Sequence, residues 1–302
     1  MNEKISNFQQ VASLRRYTLT EGISNGIEVI DCDNGNIRFL LNVTKALDIM
    51  QLYHEGQNVS FICKNGFTKR EIAFGKRFEG GMLYTCGLDC VGGIPGHEPH
   101  GSFHTTPAEV VRAECNEDGI VVEALIRDTA LMGNNLVMRR KITSAIGSDK
   151  LVLEDTLLNA GYRETNYALL YHINVGYPLL DEGAKIIADV KAREAVGEWA
   201  AKNEATASEI EAPIPGREET CYYLTLGKPE ASLLNEKLGK KFTVSYSADT
   251  LPLFLEWKSM ASGDYVLGLE PCTTKTGDAF AYKTIAAGET VKFSVALKVE
   301  KV

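Results

Sequence analysis

Three segments of the chain place proton-transfer groups where the sequence otherwise reads as apolar strand or strand edge: HGSFHTTPAE from His100, YHINVGYPLL from Tyr171, and LGLEP ending at Pro271. Together they offer two histidines, His100 and His172, and one carboxylate, Glu270, for general acid–base chemistry. The imidazole of His172 stands where Val or Ile would serve a buried strand, and burying a polar ring costs stability unless it is hydrogen-bonded. Function therefore competes with packing as the reason for His172. It does so more strongly for Glu270, because carboxylates are rarer in cores than imidazoles.

Three of the five histidines, His97, His100 and His104, fall within eight residues and raise a metal reading. Pro99 and Gly101 oppose a helix that would gather them on one face. In a strand His100 and His104 would share a face and His97 would point away. No further carboxylate and histidine complete a ligand set, so no metal is assigned. Neither a GxGxxG stretch nor a P-loop is present, and no cofactor is assigned. Cys86 and Cys90 lack a second pair at zinc-finger spacing. The seven scattered cysteines read as reduced, mostly buried thiols. The stretch GGMLYTCGLDCVGG, Gly80 to Gly93, surrounds a short apolar strand with glycines. Close approach of a ligand or a sharp bend beside a pocket would need them, and so would an ordinary hairpin.

The elements that must position these groups follow a period of two. GIVVEALIRD from Gly119, the long run from Asn135 to Gly161 and TVKFSVALKVEKV from Thr290 alternate or are rich in β-branched residues. RYTLTEGISNGIEVIDCDNGNIRFLLNV has the same texture, with hairpin-turn signals at Asn25 and at Asn34-Gly35. Two stretches are exceptions and predict short helices: AREAVGEWAAKNEATASEIEA from Ala192, and EASLLNEKL from Glu230. With no linker or low-complexity tract, the expectation is one all-β domain over residues 1–302, an antiparallel β-sandwich of two large packed sheets with short helical excursions.

Composition removes several classes of partner. The 302 residues are 44% hydrophobic and 24% charged, enough for a large core. The 32 Lys and Arg against 40 Asp and Glu give a net charge of -8 without any basic run, which argues against nucleic acid. The N-terminal residues lack a signal-peptide pattern and no stretch of about 18 apolar residues occurs, so the expectation is a cytoplasmic protein with no membrane partner.

Taken together, KALDI at Lys45, RFEGGMLYTCGLD at Arg77, PHGSFHTTPAE at Pro99, YHINVGYPLL at Tyr171 and EWKSMASGDYVLGLEP at Glu256 make the chain resemble the aldose 1-epimerase (galactose mutarotase-like) superfamily. Within it, the match is to a less characterised branch long carried as a domain of unknown function. The resemblance covers a whole domain and implies a large β-sandwich whose open face holds a monosaccharide. It implies that Glu270 removes the proton of the anomeric hydroxyl, that His172 protonates the ring oxygen, and that His100 helps hold the sugar and its developing charge. Arg77 and Asp89, then His104, Asp48 and Trp257, are the implied substrate-binding residues. A nearby carboxylate is expected to favour the His172 imidazolium. The chain departs from the branch at Ser102, where an arginine often follows the His-Gly step, and at Lys45, where arginine is common, leaving the sugar's identity open. A homodimer, a sugar-binding module without turnover, and a different sugar isomerase using a metal near His100 also stay open.

Overall fold

Alternation in the sequence becomes alternation of burial. In the strand Gly119–Thr129, Ile120, Val122, Ala124 and Ile126 are buried. In Asn135–Ser144 the matching row is Leu136, Met138, Arg140 and Ile142, and in Lys150–Asn159 it is Leu151, Leu153, Asp155 and Leu157. The computed structural model describes residues 3–302. It is 52% strand against 8% helix, so sheets alone set the architecture.

The first part of the chain forms a five-stranded antiparallel meander: Ser13–Thr18, Glu28–Asp33, Ile37–Asn42, Asp48–His54 and Gln57–Asn58. The Asn34-Gly35 turn joins its second and third strands as the sequence predicts. Gly35 has φ +89°, and a Cβ there would lie 2.7 Å from the Val11 carbonyl oxygen. The rest of the chain builds one thirteen-stranded antiparallel sheet. Its half nearest the acid–base residues pairs Thr165–Val175 with Asp264–Cys272, then Leu253–Ala261, then Thr220–Asn235. Leu83–Leu88 adds to the outer side of Thr165–Val175. A single apolar cluster, containing Phe39, Leu41 and Leu52 of the meander and Leu153, Phe242 and Leu267 of the large sheet, joins the two. The two sheets thus have five and thirteen strands.

The helical expectations divide. The segment from Ala192 completes a strand, Lys185–Ala195, and then forms the helix Gly197–Lys202 and a 3-10 turn at Glu204–Thr206. EASLLNEKL is not helical. Its first six residues end the sixteen-residue strand Thr220–Asn235, flanked on both sides by Lys185–Ala195 and Lys240–Tyr246. Two ladders of hydrogen bonds and the burial of Ala231 and Leu233 outweigh a helix propensity worth only a few tenths of a kcal/mol per residue. Among the described residues, no helix is long and apolar enough to cross a membrane.

Candidate active site

Strand register brings His172 and Glu270 together. Ile173 pairs with Leu269 and Leu170 with Cys272, which sets His172 opposite Glu270 on neighbouring strands. On the next strand Leu255 pairs with Glu270 and Trp257 with Gly268, so Trp257 shares their face. The His172 Nδ1 lies 3.2 Å from Glu270 Oε1, yet neither atom has an aligned hydrogen-bond partner. Gly268 makes room for this arrangement, because a Cβ there would sit 2.1 Å from Glu270 Oε1 and 3.1 Å from the Trp257 ring.

A cavity of about 700 Å³ opens over the pair. Phe74, Phe78, Trp257 and His100 wall it, and Arg217, Glu219 and Asp264 supply further polar groups. His172 is packed among rings, 5.1 Å from Trp257, 5.5 Å from Phe78 and 5.6 Å from His100 between centroids. His100 arrives on a loop, not a strand. It has φ +62°, its N–H donates to the Gly92 carbonyl and its carbonyl accepts from the Gly87 N–H. The next residue, Gly101, has φ +74° and no space for a Cβ, which would lie 2.5 Å from the Gly87 carbonyl oxygen.

Burial controls the ionisation of these groups. Loss of hydration pushes the His100 imidazole down to about 4. Burial, with His100 adding to it, holds His172 well below the ordinary imidazole range. Burial, with the Glu219 charge adding to it, holds the Glu270 carboxyl well above the ordinary carboxylate range. The expected preference of His172 for the imidazolium is therefore not met, since desolvation and the neighbouring His100 favour the neutral ring.

Gly92 and Gly93 of the glycine-bounded stretch line this cavity, and of the five residues expected to bind substrate, Trp257 alone does so. Asp48 and His104 lie behind it in a buried polar network. Asp48 Oδ2 meets His104 Nδ1 at 2.6 Å, and Asp48 Oδ1 meets Arg140 Nη1 at 2.6 Å. Burial opposes the Asp48 charge, but His104 and Arg140 hold its carboxyl below the usual range. Arg77 points away from the pair, donating to Glu98 Oε1 at 2.8 Å and to the Ile72 carbonyl. Asp89 secures the His100 loop, its Oδ1 accepting the Ser102 N–H at 2.9 Å and its carbonyl the Tyr282 hydroxyl. None of these four is placed to contact a ligand in the cavity. The three clustered histidines face different surroundings: His97 is exposed in a turn, His100 lines the cavity, and His104 is stacked on Tyr84 at 3.7 Å. Among the described residues, no group of three or more His, Cys, Asp or Glu side chains is arranged to hold a metal ion.

Sequence reasoning missed Phe74 and Phe78, which begin and cap the short helix Phe74–Arg77, and Arg217, Glu219 and Asp264, which come from loops and a strand end with no distinctive spacing. It also missed Arg140 and Asp155, for which a signal existed: both occupy core-facing positions of alternating strands. They are cross-strand partners, with Arg140 Nη2 2.7 Å from Asp155 Oδ2.

The family model described as "Domain of unknown function (DUF4432)" matches residues 24–299. Among functionally curated proteins, none matches the chain. A solved structure of a protein provisionally called an aldose 1-epimerase, from Klebsiella pneumoniae, superposes with TM-score 0.86 at 19% identity, covering 97% of this chain and 86% of that one. A galactose mutarotase-like protein from Clostridium acetobutylicum gives TM-score 0.70 at 13% identity, covering 97% and 100%. Galactose 1-epimerase from Lactobacillus acidophilus gives 0.65 at 12%, covering 96% and 99%. At these identities the likeness is one of fold.

Proposed function

The chain belongs to the DUF4432 family, and from that premise we propose that it is a cofactor-independent aldose 1-epimerase acting as one domain on a monosaccharide. The observation that carries this reading is the buried His172–Glu270 pair, 3.2 Å apart beneath an aromatic-walled cavity. The relatives of similar fold named for aldose or galactose epimerisation support it.

The pair works with one proton between its members. Burial places that proton on Glu270, and a shift across the 3.2 Å gap gives the carboxylate and imidazolium. Glu270 then takes the proton of the anomeric hydroxyl as His172 protonates the ring oxygen. The C1–O5 bond breaks and C1 becomes a carbonyl. Rotation about C1–C2 presents the other carbonyl face to the ring hydroxyl. In the reverse transfers, His172 takes that hydroxyl's proton and Glu270 returns one to the carbonyl oxygen. His100, held neutral, lies where it can hydrogen-bond a sugar oxygen, and Trp257, Phe74 and Phe78 offer apolar faces to the sugar's C–H groups.

Anomer exchange measured by saturation-transfer NMR over a panel of aldoses tests the proposal. Acceleration is expected for at least one sugar. It should fall by about 10²–10⁴-fold in His172→Ala and in Glu270→Gln, with circular dichroism showing both variants folded. Near-wild-type exchange in both would remove this mechanism. Binding of a sugar without acceleration by the wild type would favour a binding module.

A further inference from the structure

The short helix Phe74–Arg77 presents Phe74 to the catalytic cavity, while Ala73 and Arg77 line a second cavity of about 560 Å³. Four cations line the second cavity, Lys45, Lys69, Arg70 and Arg77, against two carboxylates, Glu71 and Glu98. Lys45 is engaged by Glu79 at 2.6 Å and Arg77 by Glu98 at 2.8 Å. Among the described residues, Lys69, Arg70 and Glu71 make no ion pair, so two free cations face one free carboxylate. Such a concentration is not a by-product of a basic surface, because the whole chain carries a net charge of -8.

Arg77 is the second observation. It is 6% exposed, and its Nε has no acceptor. That nitrogen is shielded from solvent beside the buried Tyr84 hydroxyl, and the outer nitrogens reach Glu98 and the Ile72 and Gly101 carbonyls. A buried guanidinium lining a cavity that also holds two unneutralised cations matches a compact anion with several acceptor oxygens. The volume leaves room for a small group attached to that anion.

We propose that this second cavity binds a phosphoryl group, as inorganic phosphate or as the phosphate of a small monoester, with Lys69, Arg70 and Arg77 as its donors. Calorimetric titration of the full chain at low ionic strength tests this, using inorganic phosphate, an aldose 6-phosphate and a nucleoside monophosphate as separate probes. Saturable binding of inorganic phosphate is expected, weakened on the order of tenfold or more in a Lys69→Ala/Arg70→Ala double variant. These side chains are exposed, so the variant should remain folded. Phosphate binding should survive in His172→Ala and should not be displaced by a bound aldose. A monoester that binds more tightly than phosphate and with the same dependence on Lys69 and Arg70 would support the site and identify the attached group. The proposal is overturned by absence of saturable binding, by undiminished binding in the double variant, or by loss of binding in His172→Ala or on adding aldose. The last two results would put the phosphate in the catalytic cavity.

Discussion

Both members of the His172–Glu270 pair prefer their neutral forms, so its pH dependence follows from burial more than from their mutual attraction. The carboxyl of Glu270 is held well above its ordinary 4.5 and the imidazole of His172 well below its ordinary 6.5. As pH falls through the lowered His172 value, the pair gains a second proton and loses its base. As pH rises through the raised Glu270 value, it loses its only proton and with it the acid. The pH profile of kcat/KM should therefore be a bell, its acid limb below the ordinary imidazole range and its alkaline limb above the ordinary carboxylate range. Because Glu219 raises the Glu270 value, Glu219→Gln should move the alkaline limb to lower pH. Glutamine keeps an oxygen to accept the Trp257 Nε1–H, now 2.8 Å from Glu219. An alkaline limb that stays in place would break its assignment to Glu270.

The strand Asp264–Cys272 positions the site through a residue with no side chain. A methyl group on Gly268 would have to displace either the Glu270 carboxyl, 2.1 Å away, or the Trp257 ring at 3.1 Å. Gly268→Ala is expected to lower kcat/KM by about 10²-fold, the scale of an ångström-sized misplacement of a catalytic group, while the chain keeps its strand content by circular dichroism. Unchanged kinetics would mean that Glu270 tolerates displacement and that its alignment with His172 is not what the reaction needs. Register has a similar role. A slip of one residue between Thr165–Val175 and Asp264–Cys272 would send His172 and Glu270 to opposite faces of the sheet. Burial of nearly every residue on both strands opposes such a slip.

Across the whole molecule, the meander is fastened to the large sheet by charge as well as by apolar contact. Arg140 of Asn135–Ser144 is fully buried and reaches Asp48 and the Ala46 carbonyl on the meander side, together with Asp155 and Thr85 of the large sheet. The Tyr171 hydroxyl donates to the same Asp155 at 2.8 Å, one residue before His172, so the network also braces the back of the strand that carries His172. Arg140→Ala leaves two buried carboxylates without their cation and should cost about 3–5 kcal/mol, read from the urea midpoint. A midpoint equal to wild type would show that the remaining partners satisfy Asp48 and Asp155 without the guanidinium.

Sequence by itself determined the all-β class, the positions of most strands and the identity of His100, His172 and Glu270 as the chemical candidates. These are local properties: a two-residue period, turn residues such as Asn34-Gly35, and acid–base side chains interrupting apolar runs. Tertiary structure alone decided which polar residues meet. Asp48, His104, Arg77 and Asp89 look as suitable for binding a sugar as Trp257 does, until the register and loop paths turn four of them into internal partners and leave one at the cavity. It also decided that EASLLNEKL is strand, because hydrogen bonds from two neighbouring strands outweigh local propensity. The physical reason is common to both. Burial and pairing depend on segments far apart in the chain, His172 and Glu270 among them, and burial sets whether a histidine and a carboxylate are charged.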